Sequence, residues 1–127
     1  MSALRNREER INFLYKIYLL QWDDNTAFDK IDASHLEFDF DIDKKQLIRK
    51  IVESKSDLEG RIKELLPNDW KLSRINNLEK AVLLNGIAEI RLFDNKKEIV
   101  IDESLNFAKR YCDPNSGPLI NAILDKI

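Results

Sequence analysis

Three arginines near the start of the chain, Arg5, Arg7 and Arg10, are the first residues whose type and spacing could do chemistry. Together they could form a basic lip for phosphate oxygens, with Glu8 and Glu9 as competing salt-bridge partners. The segment CDPNSG, residues 112–117, is a Pro/Gly-rich break before a final apolar helix. It sets Asn115, Ser116 and Gly117 at a helix N-terminus, where free N–H groups can take an anion. Glu79, Glu89 and Glu103 could face one another across helices, although carboxylates on amphipathic helices usually face solvent. His35 is the only histidine and Cys112 the only cysteine, and a nucleophilic pair between them would need a long fold-back. DFDIDKKQLIRK has Asp39, Asp41 and Asp43 in the acidic positions of a calcium loop. Lys44 replaces its turn glycine and Lys50 its bidentate glutamate, so the stretch reads as a solvated acidic linker. There is no Gly-rich phosphate loop. These residues predict a binding protein with no catalytic residue, metal or cofactor.

The elements that must position them are helical. Only three Gly and three Pro break the chain, so long helices are expected. The first should run from about Leu4 to Trp22, with Ile11, Leu14, Tyr15, Tyr18 and Trp22 on one face, and Asp23 to Thr26 should end it. Residues 28 to 42 read as a linker pinned by its phenylalanines. EFDFDID alternates like a strand but has no partner strand, and a lone strand is not stable. A second helix should start near Asp43 and stop before Pro67, with a break near residues 54 to 57, where Ser56 and Glu59 could cap a new start. The third is the clearest. Asn76 and Glu79 make a capping box, and apolar residues from Leu78 to Leu92 cover nearly its whole circumference, so it should be the buried centre. A fourth is expected over Ile99 to Tyr111, and a last over Pro118 to Lys126 with Ser116 as its cap. The reading is all-α, a single-domain helical bundle.

Composition bounds the class. A chain of 127 residues can bury one core, and 43% apolar with 35% charged residues predicts a soluble, amphipathic globular protein. The net charge of −2 means that nucleic-acid binding must be local rather than global. One cysteine, no apolar run of membrane-spanning length and no signal-peptide core predict a cytoplasmic protein with no membrane partner.

Four motifs in order resemble a family. RNREERINFLY, with Arg5, Arg7, Glu8, Leu14 and Tyr15, resembles the opening helix of the NusB transcription antitermination factors. WKLSRINNLEKAVLLNGIAEI is similar to the family's central segment through Trp70, Arg74, Glu79, Lys80, Ala81, Leu83 and Glu89. IDESLNFAKRY resembles a further helix through Ile101, Glu103, Ala108, Lys109 and Arg110, and Ser116, Asn121, Leu124, Asp125 and Lys126 match the closing motif. The resemblance implies two packed three-helix subdomains, about 1–66 and about 70–127. It implies binding of a boxA-type RNA with the ribosomal protein NusE, and through that assembly the RNA polymerase elongation complex. RNA contacts then fall to Arg5, Arg7, Arg10, Lys109, Asn115, Ser116 and Gly117, and partner contacts to Glu79, Lys80 and Glu89. Gly117, Pro118 and Leu119 depart from the family's usual His-Lys-Phe, which leaves a protein–protein adaptor without RNA binding as the alternative.

Overall fold

The computed structural model describes residues 3–33, 42–67 and 71–127. The described residues form seven α-helices and no strand: α1 (Ala3–Leu20), α2 (Asp24–Asp32), α3 (Ile42–Glu53), α4 (Lys55–Leu65), α5 (Asn77–Arg91), α6 (Lys97–Tyr111) and α7 (Ser116–Asp125). A single 3-10 turn, Leu72–Arg74, precedes α5. Among these residues no helix is long and apolar enough to cross a membrane.

The expected central helix is central. Every residue of α5 from Ala81 to Glu89 is buried, and α1, α3, α4, α6 and α7 all pack on it. Its capping box forms as the sequence predicts: Glu79 N–H donates to Asn76 Oδ1 at 2.8 Å, and Asn76 N–H donates to Glu79 Oε1 at 3.1 Å. α1 makes its largest contact with α5 and so packs across the expected division near residues 66–70. The break after α3 is also present. It falls at Ser54, one residue before α4, rather than at a cap on Ser56.

The stretch read as a helix stop and linker needs correction. Asp23 does not merely end α1; it opens α2, its Oδ1 accepting from Thr26 N–H at 2.7 Å. α1 ends instead at Gln21, which takes φ 55° so that Trp22 N–H can reach Ile17 carbonyl oxygen at 3.0 Å. Phe28 lies on α2, under the Arg49 guanidinium of α3 at 4.9 Å from the ring centroid, while Arg49 also pairs with Asp32 at 2.6 Å. His35, Asp39 and Asp41 lie outside the described residues. Lys44 is buried on α3 and pairs with Glu9 of α1 at 3.2 Å.

Leu124 of α7 packs closely against a glycine of α5. A Cβ added at Gly86 would meet Leu124 Cδ2 at 2.9 Å and Cδ1 at 3.0 Å, and Leu124 is fully buried. A larger side chain there forces the buried Leu124 side chain to shift. Gly86→Val is expected to cost about 3 kcal/mol in a urea melt, whereas Gly60→Ala, at a site with no atom within 4 Å, should not destabilise.

Candidate functional site

The cations expected to face solvent mostly do not. Arg7 and Arg10 are three residues apart on α1, so they fall on one helical face, and that face is the one carrying Leu14 and Ile17 into the core. Arg7 is 6% exposed and forks onto Glu89 of α5, with Nε to Oε2 and Nη2 to Oε1 both at 2.7 Å. Arg10 is 7% exposed; its Nε donates to Asn85 Oδ1 at 2.9 Å and its Nη2 lies 3.3 Å from Glu89 Oε2. Asn85 Nδ2 donates to the same oxygen at 2.7 Å, and Asn95 Nδ2 to Oε1 at 3.0 Å. The Phe93 ring closes the cluster, 5.8 Å from the Arg10 guanidinium.

This arrangement revises the picture of a solvent-facing lip. Arg7 and Arg10 hold α1 on α5, and Glu89, expected to meet a partner, is fully buried between them. Arg5 lies in the first turn of α1, within residues 3–5, of which only the backbone is described. The electrostatics follow from the geometry. Burial alone would raise the Glu89 carboxyl, but the hydrogen bonds and charge of Arg7, the charge of Arg10 and the Asn85 amide outweigh it and hold it below the usual carboxylate range. The hydrogen bond to Glu89 raises Arg7, whereas burial lowers Arg10.

The loop before α7 has a comparable anchor. Ser116 is not the N-cap of α7 but its first residue, preceded by Asn115, which makes no side-chain capping bond. Ser116 is fully buried, and its Oγ donates to Glu79 Oε2. One carboxylate thus closes the start of α5 through one oxygen and holds the start of α7 through the other. Around this anchor Lys109, Asn115 and Pro118 are exposed. A cleft of about 610 Å³ lies between α6 and the loop, lined by Glu103, Lys109, Asp113, Pro114, Gly117 and Pro118 among others. Lys80, the remaining expected partner residue, is half-buried with its ammonium 5.3 Å from the centroid of the Tyr18 ring. Burial and then the charge of Glu79 push the Cys112 thiol up to about 11, so it carries little thiolate at neutral pH. Of the expected site, then, Lys109, Asn115 and Gly117 come together at one loop, while Arg7, Arg10, Glu89 and Ser116 lie beneath the surface.

The model of the NusB family matches residues 4–127. The chain belongs to the NusB family. It is similar over its whole length to "Transcription antitermination protein NusB" of Methylacidiphilum infernorum, with 32% identity and 90% of that protein covered. The protein of the same name from Syntrophomonas wolfei is 28% identical over all of this chain and 96% of its own length. Among solved structures, T. maritima NusB superposes with a TM-score of 0.77 at 25% identity, covering 99% of this chain and 89% of that one. The all-α arrangement around a buried central helix is therefore the NusB fold.

The NusB scaffold in this chain should depend on Glu89. Glu89→Ala removes the carboxylate that two buried guanidinium groups share, leaving Arg7 only Glu103 at 3.9 Å, and is expected to cost about 3–5 kcal/mol, measured by urea unfolding at neutral pH. The acid side carries a second expectation. Because the folded carboxyl lies below its unfolded value of about 4.3, its contribution is complete above that pH and is lost as pH falls through the folded value. Stability measured in that acid window should fall in the wild type with a component that Glu89→Gln lacks.

Proposed function

We propose that this protein is a cytoplasmic transcription antitermination factor that binds a boxA-type RNA together with ribosomal protein NusE, and through them acts on the RNA polymerase elongation complex. Family membership over residues 4–127 carries this reading. The relatives from M. infernorum and S. wolfei, both named transcription antitermination proteins, support it. The geometry supports a specific contact region, the loop 113–117 with Lys109, Asn115 and Gly117 at its surface and Ser116 anchored below. Arg5, at the start of α1, is assigned to the same RNA-contact role on its sequence position, whereas Arg7 and Arg10 support the site by fixing α1. Lys80 and the exposed face around the start of α5 are assigned to the protein partner.

One observation favours the second reading, an adaptor of the same fold that engages protein but not RNA. The loop cleft sets Asp102, Glu103 and Asp113 against the single cation Lys109, and acidic walls disfavour phosphate. RNA-binding measurements with and without NusE decide between the two. Under the first reading boxA-type RNA binds, more tightly with NusE and less tightly as salt rises. Lys109→Ala combined with Asn115→Ala, both exposed, is then expected to lower affinity on the order of tenfold and to flatten the salt dependence by roughly 0.7 in log–log slope for the lost cation. Binding of NusE with no RNA bound at low salt establishes the adaptor instead.

A further inference from the structure

The sequence holds a single Asn-Gly pair, Asn85–Gly86, and it lies in the buried middle of the central helix. Asn-Gly is the dipeptide in which the backbone nitrogen attacks the side-chain amide most readily, because glycine has no Cβ to hinder the approach. Leu124 of α7 packs against Gly86, so the glycine belongs to the core contact between α5 and α7. Asn85 belongs to the ion-pair cluster. Its Nδ2 donates to Glu89 Oε2 at 2.7 Å, and its Oδ1 accepts from Arg10 Nε at 2.9 Å. A reactive pair thus stands where the first, central and last helices meet.

Three features of the fold keep the pair inert. Within α5 the Gly86 N–H is committed to the carbonyl four residues back, and the helical ψ of Asn85 turns that nitrogen away from the carboxamide carbon. The carboxamide itself is held at both ends, by Glu89 and by Arg10. Asn85 is fully buried and Gly86 is buried beside it, which denies the site the water that hydrolysis consumes. All three protections belong to the docked helices, and none survives in the unfolded chain.

We propose that Asn85–Gly86 is a self-modifying site, closed in the folded protein and open in the unfolded chain, whose isoaspartate product bars return to the fold. In the unfolded chain the Gly86 nitrogen bonds to Asn85 Cγ and the bond from Cγ to the amide nitrogen breaks. The proton of the Gly86 N–H leaves with that nitrogen as ammonia. Water then opens the five-membered imide at one of its two carbonyls, giving aspartate or isoaspartate at residue 85. Isoaspartate adds a methylene to the backbone within a run buried from Ala81 to Glu89, so the hydrogen-bond ladder of α5 cannot be rebuilt in register. Aspartate replaces the amide donor 2.7 Å from Glu89 Oε2 with an acceptor of like charge. The site needs neither RNA nor a protein partner, and it makes each excursion to the unfolded state partly irreversible.

Asn115, exposed in the loop before α7 and followed by Ser116, supplies an internal reference for the test. The wild-type protein is incubated in mildly alkaline buffer at increasing urea. Conversion at each asparagine is followed by peptide mass spectrometry, with enzymatic methylation of the isoaspartyl carboxyl as a second readout. In native buffer Asn115 is expected to convert while Asn85 stays intact. Conversion at Asn85 should rise along the unfolding curve, because the amides of a core helix open with the whole molecule. In full urea it should overtake Asn115. After the urea is diluted, brief proteolysis removes chains that do not refold, and the survivors should be depleted of isoaspartate at residue 85 relative to the mixture before dilution. Conversion of Asn85 in native buffer as fast as that of Asn115 overturns the protection by the fold. Survivors carrying isoaspartate at residue 85 in the same share as the starting mixture overturn the block to refolding. If Asn115 remains the faster site in full urea, the pair is not reactive and the proposal falls.

Discussion

A single carboxylate sets the register of the molecule. Glu89 is fully buried on the central helix, and a buried charge is tolerated only where opposite charge and hydrogen-bond donors surround it. Its two oxygens receive Arg7, Asn85 and Asn95 at 2.7–3.0 Å, with Arg10 at 3.3 Å. Apolar packing between α1 and α5 would accept a slide of one helix along the other, since leucine and isoleucine make no directional contacts. The forked guanidinium does not accept it. The pairing therefore supplies specificity of docking, and the surrounding core supplies most of the favourable energy of burial.

Glu79 does the equivalent for the other end of α5. It caps its own helix and holds Ser116, so the starts of α5 and α7 are tied at one point. Between these two polar joints the contact is apolar and close, with Leu124 seated against Gly86. The surface loop 113–117 is consequently mounted on a rigid base. Exposed groups at the start of α5 inherit their positions from these two carboxylates.

The helices were legible where their signals are local. The capping box of Asn76 and Glu79 and the apolar circumference of α5 both have one physical meaning, and both are present. α2 was not legible because Asp, Asn and Thr serve equally to stop one helix and to start the next. Gln21 in a left-handed conformation gave no glycine to mark where α1 had already ended. The site was harder to read, since residue type gives a charge but not its direction. A signal for Arg7 and Arg10 did exist: Arg7 stands at helical spacing before Ile11 and Leu14, and Arg10 before Leu14 and Ile17, on the stripe that the periodicity assigns to the core. Glu89, inside a helix with no polar face, carried the matching signal. Ser116 gave none, because its partner lies 37 residues away.

The turn after α5 has a role beyond connection. Asp94 takes φ 56°, which folds the chain back so that Asn95 N–H reaches Glu89 carbonyl oxygen at 2.8 Å while its side chain covers the carboxylate. Asn95 is itself exposed, so the residue that covers the carboxylate on this side also faces bulk water. Short exposed turns open with far smaller free energies than the helices they join. Water reaching the carboxylate from this side must first displace the Asn95 amide, so the turn shields the ion pair that docks the first helix.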